Sequence, residues 1–295
     1  MHRRTCSDNC IDAKAINYAV SVNPEELVLD GNTLTPECLV RCGMGFYYLT
    51  IAPDAQEKIK KSRRLLEGFV AKGEVVYGVT TGFGNFADVT IPREQLMKLQ
   101  ENLIRSHACG VGPPLSPART RMLLALRINV LSKGYSGISL ETVQCLVDAF
   151  NAYCVSWVPE QGTVGCSGDL CPLAHLALGL MGEGKMWSPE TGWDSASVVL
   201  EKHGLKPAVL GPKEALSLIN GTQMITALGA EAVTRSRVLA VQADIVAAMT
   251  LEVCKGNKNP FKKEVHDVRP HTGQMSVAKR LRCLLPSDQD RSEIS

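Results

Sequence analysis

The chain has 295 residues, 45% of them hydrophobic, enough for one large or two ordinary domains around a sizeable core. Its 32 basic and 30 acidic side chains leave a net charge of +2, so no charge imbalance favours nucleic acid or an acidic membrane surface. No apolar run has membrane-spanning length, and Asp8, Asn9, Asp12 and Lys14 fall where a signal peptide would be apolar after Met1–Arg4, so a soluble, cytoplasmic protein is expected.

In chain order, residues 1–35 read as a polar extension ending in a strand-like piece at Leu27–Leu29 and a turn at Asp30-Gly31-Asn32. The eleven cysteines are odd in number and scattered from Cys6 to Cys283, unlike a disulfide framework. Cys6 with Cys10 and Cys38 with Cys42 have no neighbouring His cluster, so free buried thiols are expected and no metal site. Thr35-Pro36 looks like a helix start. Pro53 to about Lys72 places Ala55, Ile59, Leu66 and Phe69 at helical spacing, and Gly73 follows as a stop. Val75–Val79 is a short β-like run, and Thr80-Thr81-Gly82-Phe83-Gly84 after it must be a loop. Gly82-x-Gly84-x-x-Ala87 is formally a dinucleotide fingerprint, but Asp88-Val89-Thr90-Ile91-Pro92 is not the helix that fingerprint needs.

Ser116-Pro117 begins a helix that Lys133-Gly134 closes, and Ser139–Asn151 gives another. Asp169–Met181 reads as a helix with Pro172 tolerated in its first turn. Thr222–Cys254 has no Pro and no turn cluster, with Met224, Leu228, Val233, Val238, Val241, Ile245, Met249 and Val253 at helical spacing. As one helix it would run about 50 Å, too long for an ordinary core, which points to a bundle shared between subunits. The expected domains are a polar extension over 1–35, an active-site domain over 36–220, the start of a helical bundle over 221–286, and a polar tail over 287–295.

Gly165-Cys166-Ser167-Gly168-Asp169, within the run from Gly162 to Leu176, carries the most chemical information. The amide nitrogen of Gly168 can attack the carbonyl carbon of residue 166, closing a five-membered ring with loss of one water. Loss of the Ser167 hydroxyl as a second water leaves an exocyclic methylene, an electrophile that no ordinary side chain supplies. Gly is needed at 168 because a Cβ would block the approach. A serine-hydrolase elbow is excluded, because Gly-x-Ser-x-Gly would need Gly where Asp169 stands. A plain Gly-rich turn with a Ser cap is the bland reading of the same residues.

At these residues the chain resembles the aromatic amino acid ammonia-lyases, which build their prosthetic group from Ala-Ser-Gly in Gly-Thr-Val-Gly-Ala-Ser-Gly-Asp-Leu. Cys166 stands in place of the Ala, and only its backbone would enter the ring. The resemblance runs from about residue 25 to the end of the chain. It implies a self-made 4-methylidene-imidazol-5-one (MIO) from Cys166, Ser167 and Gly168, with no metal or diffusible cofactor. It also implies a mainly α, aspartase/fumarase-like fold, in which an active-site domain with a few short strands leads into a bundle of long helices.

The same resemblance assigns the remaining motifs. In Tyr77-Gly78-Val79-Thr80-Thr81-Gly82-Phe83-Gly84 it makes Tyr77 the base that removes the substrate's β-proton, with Gly84 beside the substrate. Ser106 and His107 would line the substrate pocket, where a Ser-His pair accompanies a polar ring, histidine first and tyrosine second. His175 belongs to a Pro-Leu-Ala-His signature read as structural. Asn220, in Leu218-Ile219-Asn220-Gly221-Thr222-Gln223, would bring its amide to the prosthetic group and the substrate carboxylate, though Asn-Gly also suits a helix junction. Asp169 would support ring building by capping free N–H groups of its own helix. The implied reaction is elimination of ammonia from L-histidine to give urocanate, in a homotetramer whose sites draw on several subunits. Family members continue past Ser295 with a second catalytic Tyr, an Arg for the carboxylate and a Glu for the imidazole, so little activity is expected of these 295 residues alone. A non-catalytic, subunit-like partner and a tyrosine ammonia-lyase or aminomutase are the alternatives.

Overall fold

The computed structural model of the chain describes residues 23–165 and 167–285. The basic start, the Cys6–Cys10 pair, Cys166 and the tail over 287–295 lie outside the described residues. The fold is mainly α with a few short strands. By their contacts, the described residues up to Glu231 form one compact unit and those from Ala232 a second.

Strand β1 (Glu25–Leu29) pairs in parallel with β2 (Tyr47–Ile51), with Leu27 opposite Leu49. The turn after β1 is held by Asp30, whose Oδ1 accepts the Asn32 and Thr33 N–H groups at 2.8 and 2.9 Å. Helix α1 (Pro36–Gly43) connects the strands and starts where Thr35-Pro36 places it, Thr35 Oγ1 accepting the Cys38 N–H at 3.2 Å. Helix α2 (Pro53–Lys72) likewise begins at its proline and ends at Gly73 in a left-handed cap.

The strand expected at Val75–Val79 does not form. Val79 and Thr80 both donate their N–H groups to Val76 O at 3.0 Å, and Thr80 Oγ1 accepts the Val76 N–H at 2.9 Å. Gly78 takes a φ of +70°, which a strand would forbid. β-branched residues favour a strand through packing on a neighbouring one, and here the segment satisfies itself as a turn.

Helix α3 (Leu96–His107) was not marked by caps in the sequence; its signal is the spacing of Leu96, Leu103 and Ile104. Strand β3 (Val111–Pro114) leads to α4 (Pro117–Leu131), where Ser116 Oγ accepts the Arg119 N–H at 3.3 Å, and α5 (Leu140–Asn151) follows, capped by Ser139. Strand β4 (Val155–Ser156) pairs with β6 (Lys185–Ser188), which pairs with β7 (Gly192–Ser195), while β5 (Pro159–Gln161) pairs with β3; all are antiparallel. Helix α6 (Leu170–Leu180) precedes β6, and α7 (Ala196–Lys202) and α8 (Glu214–Ile219) follow β7. Helix α9 (Gln223–Val253) is one uninterrupted element of 31 residues, as the missing breakers predicted. Short α10 (Lys263–Asp267) and α11 (Thr272–Leu284) complete the chain's described part.

The core of the first unit is built around α4, whose Met122, Leu123, Leu124, Ala125, Ile128 and Leu131 are all buried. Val143, Leu146, Val147 and Phe150 of α5 and Leu173, Ala174, Leu176 and Ala177 of α6 join them. Each such large aliphatic side chain gains about 1.5–3 kcal/mol from burial. Two arginines lie in this interior. Arg121 sits between the rings of Phe150 and Tyr153, at 3.9 and 4.0 Å, and donates to Cys42 O and Phe150 O at 3.1 and 2.7 Å. In the second unit Ala248, Leu281 and Leu285 form a small cluster beside an Asp244–Arg280 ion pair.

The eight described cysteines are all free. Burial pushes the thiols of Cys42 and Cys154 up to about 12, which makes them inert. Cys109, Cys254 and Cys283 are exposed, a departure from the expected buried thiols. Among the described residues no helix is long and apolar enough to cross a membrane.

Candidate active site

Helix α6 is packed into the core on nearly every side, so its N-terminus is a fixed point. Immediately before it the backbone is forced into left-handed conformations at two successive residues, Ser167 at φ +55° and Gly168 at φ +111°. A non-glycine residue in that region stores about 1–3 kcal/mol of strain and persists only where its surroundings hold it.

What holds it is the junction between α8 and α9. Asn220 Nδ2 donates to Ser167 O, and Gly221 O accepts the Asp169 N–H at 2.6 Å. A Cβ on Gly168 would stand 2.6 Å from Gly221 O and 3.0 Å from Gly221 N. Glycine at 168 is therefore required by the opposing chain as well as by the chemistry expected of its amide.

Asp169 is fully buried at the N-cap position of α6 yet makes no side-chain cap to that helix. Its Oδ1 accepts from Thr163 Oγ1 at 2.8 Å, and its Oδ2 accepts the Ile225 N–H at 2.9 Å. The expectation that it caps its own helix is thus corrected: it caps the first turn of α9 instead. That helix begins at the Asn220-Gly221 junction and brings its unpaired N–H groups within reach. One carboxylate in this way ties the loop before Ser167, the start of α6 and the start of α9 together.

The other predicted residues occupy two further places. Tyr77 is exposed, its hydroxyl accepting the Gly84 N–H at 3.2 Å and its ring edge-on to Phe83 at 6.4 Å. Tyr77 and Gly84 therefore meet each other, but among the described residues that hydroxyl bonds no member of the Ser167–Asn220 cluster. Ser106 and His107 form the last turn of α3. His107 Nδ1 lies 2.9 Å from Leu103 O and 3.0 Å from Ser106 Oγ, and Ser106 Oγ donates to Leu103 O at 3.0 Å. A carbonyl only accepts, so the neutral ring carries its proton on Nδ1 and keeps Nε2 as the accepting nitrogen. Arg105 forks onto Glu183 at 3.0 and 2.7 Å and so fixes the end of α3 to the turn that follows α6.

His175, on α6, accepts the Gly110 N–H on Nε2 at 3.0 Å, and burial lowers its pKa below the ordinary value. The sign follows from that bond, which needs an unprotonated nitrogen. The unfolded chain takes up a proton near pH 6.5 while the folded chain resists it. The stability from His175 is thus complete above about 6.5 and is lost as pH falls from there through the lower folded-state value. The melting temperature of His175→Gln is expected to fall less between pH 7.5 and 5 than that of the parent chain. Parallel acid limbs would refute this role.

Thr163, Gly221 and Ile225 were not singled out as site residues by sequence reasoning. The first two lie inside quoted motifs, but nothing in their spacing shows that they converge on Ser167 and Asp169. Among the described residues no group of three or more His, Cys, Asp or Glu is clustered as a metal site would need.

Comparison with known proteins places the chain in a family. The aromatic amino acid lyase family model matches residues 34–295. The histidine ammonia-lyase of Rattus norvegicus is 59% identical over 279 residues, which is 94% of this chain and 42% of that protein. The histidine ammonia-lyase of Caenorhabditis elegans is 59% identical over 269 residues, covering 91% of this chain and 40% of that one. The crystal structure of histidine ammonia-lyase from Trypanosoma cruzi matches with a TM-score of 0.85 at 48% identity, over 88% of this chain and 51% of that one. A tyrosine aminomutase from Streptomyces globisporus matches with a TM-score of 0.82 at 34% identity, over 92% of this chain and 55% of that one. The chain thus spans about two fifths of the length of these curated relatives and about half that of the solved ones. With the family's match running through the strained Ser-Gly step, the α8–α9 junction and the long helix alike, the chain belongs to the aromatic amino acid lyase family.

Proposed function

We propose that this chain carries the electrophile-forming part of an ammonia-lyase that acts on L-histidine and releases ammonia and urocanate. The observation that carries the reading is the strained Ser167–Gly168 step, clamped on one side by Asn220 and Gly221 and on the other by α6. Two adjacent left-handed residues bend the Gly168 amide away from an extended path, and no side chain at 168 stands in its way. Ring closure joins Gly168 N to the carbonyl carbon of residue 166; that oxygen leaves as water with the Gly168 and Ser167 amide hydrogens, and the carbon becomes doubly bonded to Ser167 N. Dehydration of Ser167 expels a second water and leaves the methylene, and neither step needs an oxidant or a metal. Once formed, the ring would supply an electrophile that turns the substrate's amino group into a leaving group. Asn220 would remain bonded to its oxygen side, and Asp169 would hold the three segments around it in register.

Tyr77 is the proposed base for the substrate's β-proton, and Ser106 and His107 are proposed to face the substrate ring. The Nδ1–H tautomer of His107 offers Nε2 as an acceptor, which fits the N–H of an imidazole substrate. The same acceptor also fits a phenol O–H, so tyrosine is the second substrate considered. The names of the relatives favour histidine: those at 59% identity are histidine ammonia-lyases, while the tyrosine aminomutase stands at 34%. The active form is proposed to be a cytoplasmic homo-oligomer, a tetramer as the family resemblance implies, without nucleic acid or membrane partners.

The test is intact-mass measurement on the folded protein. A mass lower by two waters is expected, and Ser167→Ala should restore the unmodified value. An unmodified mass in well-folded parent protein would remove the basis of the reading. Products separate the substrates: urocanate from histidine supports the reading, and a faster reaction with tyrosine moves the chain to the tyrosine enzymes.

A further inference from the structure

Arg127 of α4 is 2% exposed, buried on a helix whose interior side chains are mostly aliphatic. Burial lowers its pKa to about 10, and no carboxylate offsets that effect. An unpaired guanidinium in such a place is expensive unless its donors are satisfied. Among the described residues Nε finds no partner, and the acceptors of the two terminal nitrogens come from one short stretch of chain. Nη2 donates to Ser217 O, and Nη1 donates to Asn220 O at 3.3 Å and to Gln223 Oε1 at 2.6 Å.

The guanidinium thus spans the last turn of α8, the junction after it and the first residue of α9. It lies against the junction, since a Cβ on Gly221 would stand 2.5 Å from Arg127 Nη1. The same junction also meets Ser167 and Gly168, through Asn220 Nδ2, Gly221 O and Gly221 N. The arginine and the strained step therefore both bear on the same two residues, 220 and 221. The Gln223 side chain, itself bonded to Arg127 Nη1, lies against Gly221 beside the guanidinium.

We propose that Arg127 is a positioning residue for ring formation: it braces Asn220 and Gly221, so that they hold the Ser167–Gly168 backbone in its bent, reactive conformation. The inference rests on the reading that the ring forms. Arg127 touches neither reacting residue and acts through the junction alone. The reaction is an intramolecular condensation, whose rate depends on how long the nitrogen is kept at bonding distance and angle. A misplacement of about 1 Å in such a step can cost roughly a hundredfold in rate. A planar fork with several donors is suited to this, because it fixes three acceptors at once; a lysine ammonium would reach fewer of them and fix none in a plane.

The experiment follows ring formation by intact mass against time after synthesis, in the soluble folded fraction of the full chain. It compares the parent with Arg127→Met, Arg127→Lys and Gln223→Met, and records each melting temperature. The parent is expected to become two waters lighter. Arg127→Met should keep the unmodified mass at least about tenfold longer, Arg127→Lys should fall between the two, and Gln223→Met should show a smaller delay. A purely structural arginine would lower the melting temperature while leaving the folded fraction modified at the parental rate, and that result would overturn the proposal. If Arg127→Met does not fold, Gln223→Met decides alone: a delay supports the role and a parental rate overturns it. A parent chain that stays unmodified would overturn the ring itself, and the bracing role with it. A modified parent with equally modified variants overturns only the role of Arg127.

Discussion

Gly168→Ala is expected to lose ring formation completely and to melt well below the parent, whereas Ser167→Ala should lose only the ring. The two substitutions touch neighbouring residues, but the backbone treats them differently. Ser167 already carries a Cβ at φ +55°, so Ala there adds no strain and removes only the hydroxyl that must leave as water. Gly168 at φ +111° occupies a region that side-chain-bearing residues rarely adopt, at a cost of about 1–3 kcal/mol. The new methyl would also stand 2.6 Å from Gly221 O, well inside contact distance, so the α8–α9 junction must retreat. Its retreat would loosen the Asp169 N–H bond to Gly221 O and, through Asp169, the cap on α9. Intact mass and thermal melting on the two variants check this together. A Gly168→Ala protein that loses two waters, or melts with the parent, would show that the junction does not press on the step.

The second large effect concerns association. Helix α9 carries Val238, Leu239, Val241, Ile245, Val246, Met249 and Val253 at exposures from 42 to 65%. Their spacing places Val238, Val241, Ile245 and Met249 on one face and Leu239, Val246 and Val253 on the adjoining one. The result is a broad apolar band within the second unit, of the kind that soluble monomers rarely leave bare. The 295-residue polypeptide is therefore expected to pair with further copies of itself, with little monomer at micromolar concentration in light scattering. Leu239→Lys combined with Val246→Lys should shift it toward monomer without unfolding it, because both positions are exposed and their changes cost little within one chain. A monodisperse monomer of the parent chain at those concentrations would refute the expectation.

The local grammar of the sequence determined a great deal of this protein by itself. Thr35-Pro36, Ser116-Pro117 and Ser139 start helices because their side-chain oxygens satisfy free N–H groups wherever the rest of the chain goes, and Gly73 stops one because only a left-handed residue closes it cheaply. The unbroken α9 was equally legible, since the absence of breakers is a local property. The chemistry proposed for the Ser-Gly step is local in the same way, since it depends on adjacent atoms of one backbone. Where the outcome depended on a partner distant in sequence, it could not be read. Val75–Val79 has the composition of a strand but found no neighbour to pair with and closed on itself through Thr80. Asp169 was placed correctly at a helix start, yet it caps α9, whose first N–H groups arrive from more than fifty residues further on. Arg121 and Arg127 look like surface charges in a one-dimensional reading. Only the packing of α4 turns them inward, where Arg121 lies between two aromatic rings and donates to Cys42 O and Phe150 O, and Arg127 donates to the carbonyls of the α8–α9 junction. The step proposed to react was written in five consecutive residues, whereas the clamp that bends it exists only once α4, α6, α8 and α9 have come together, because no single segment holds both the strain and its support.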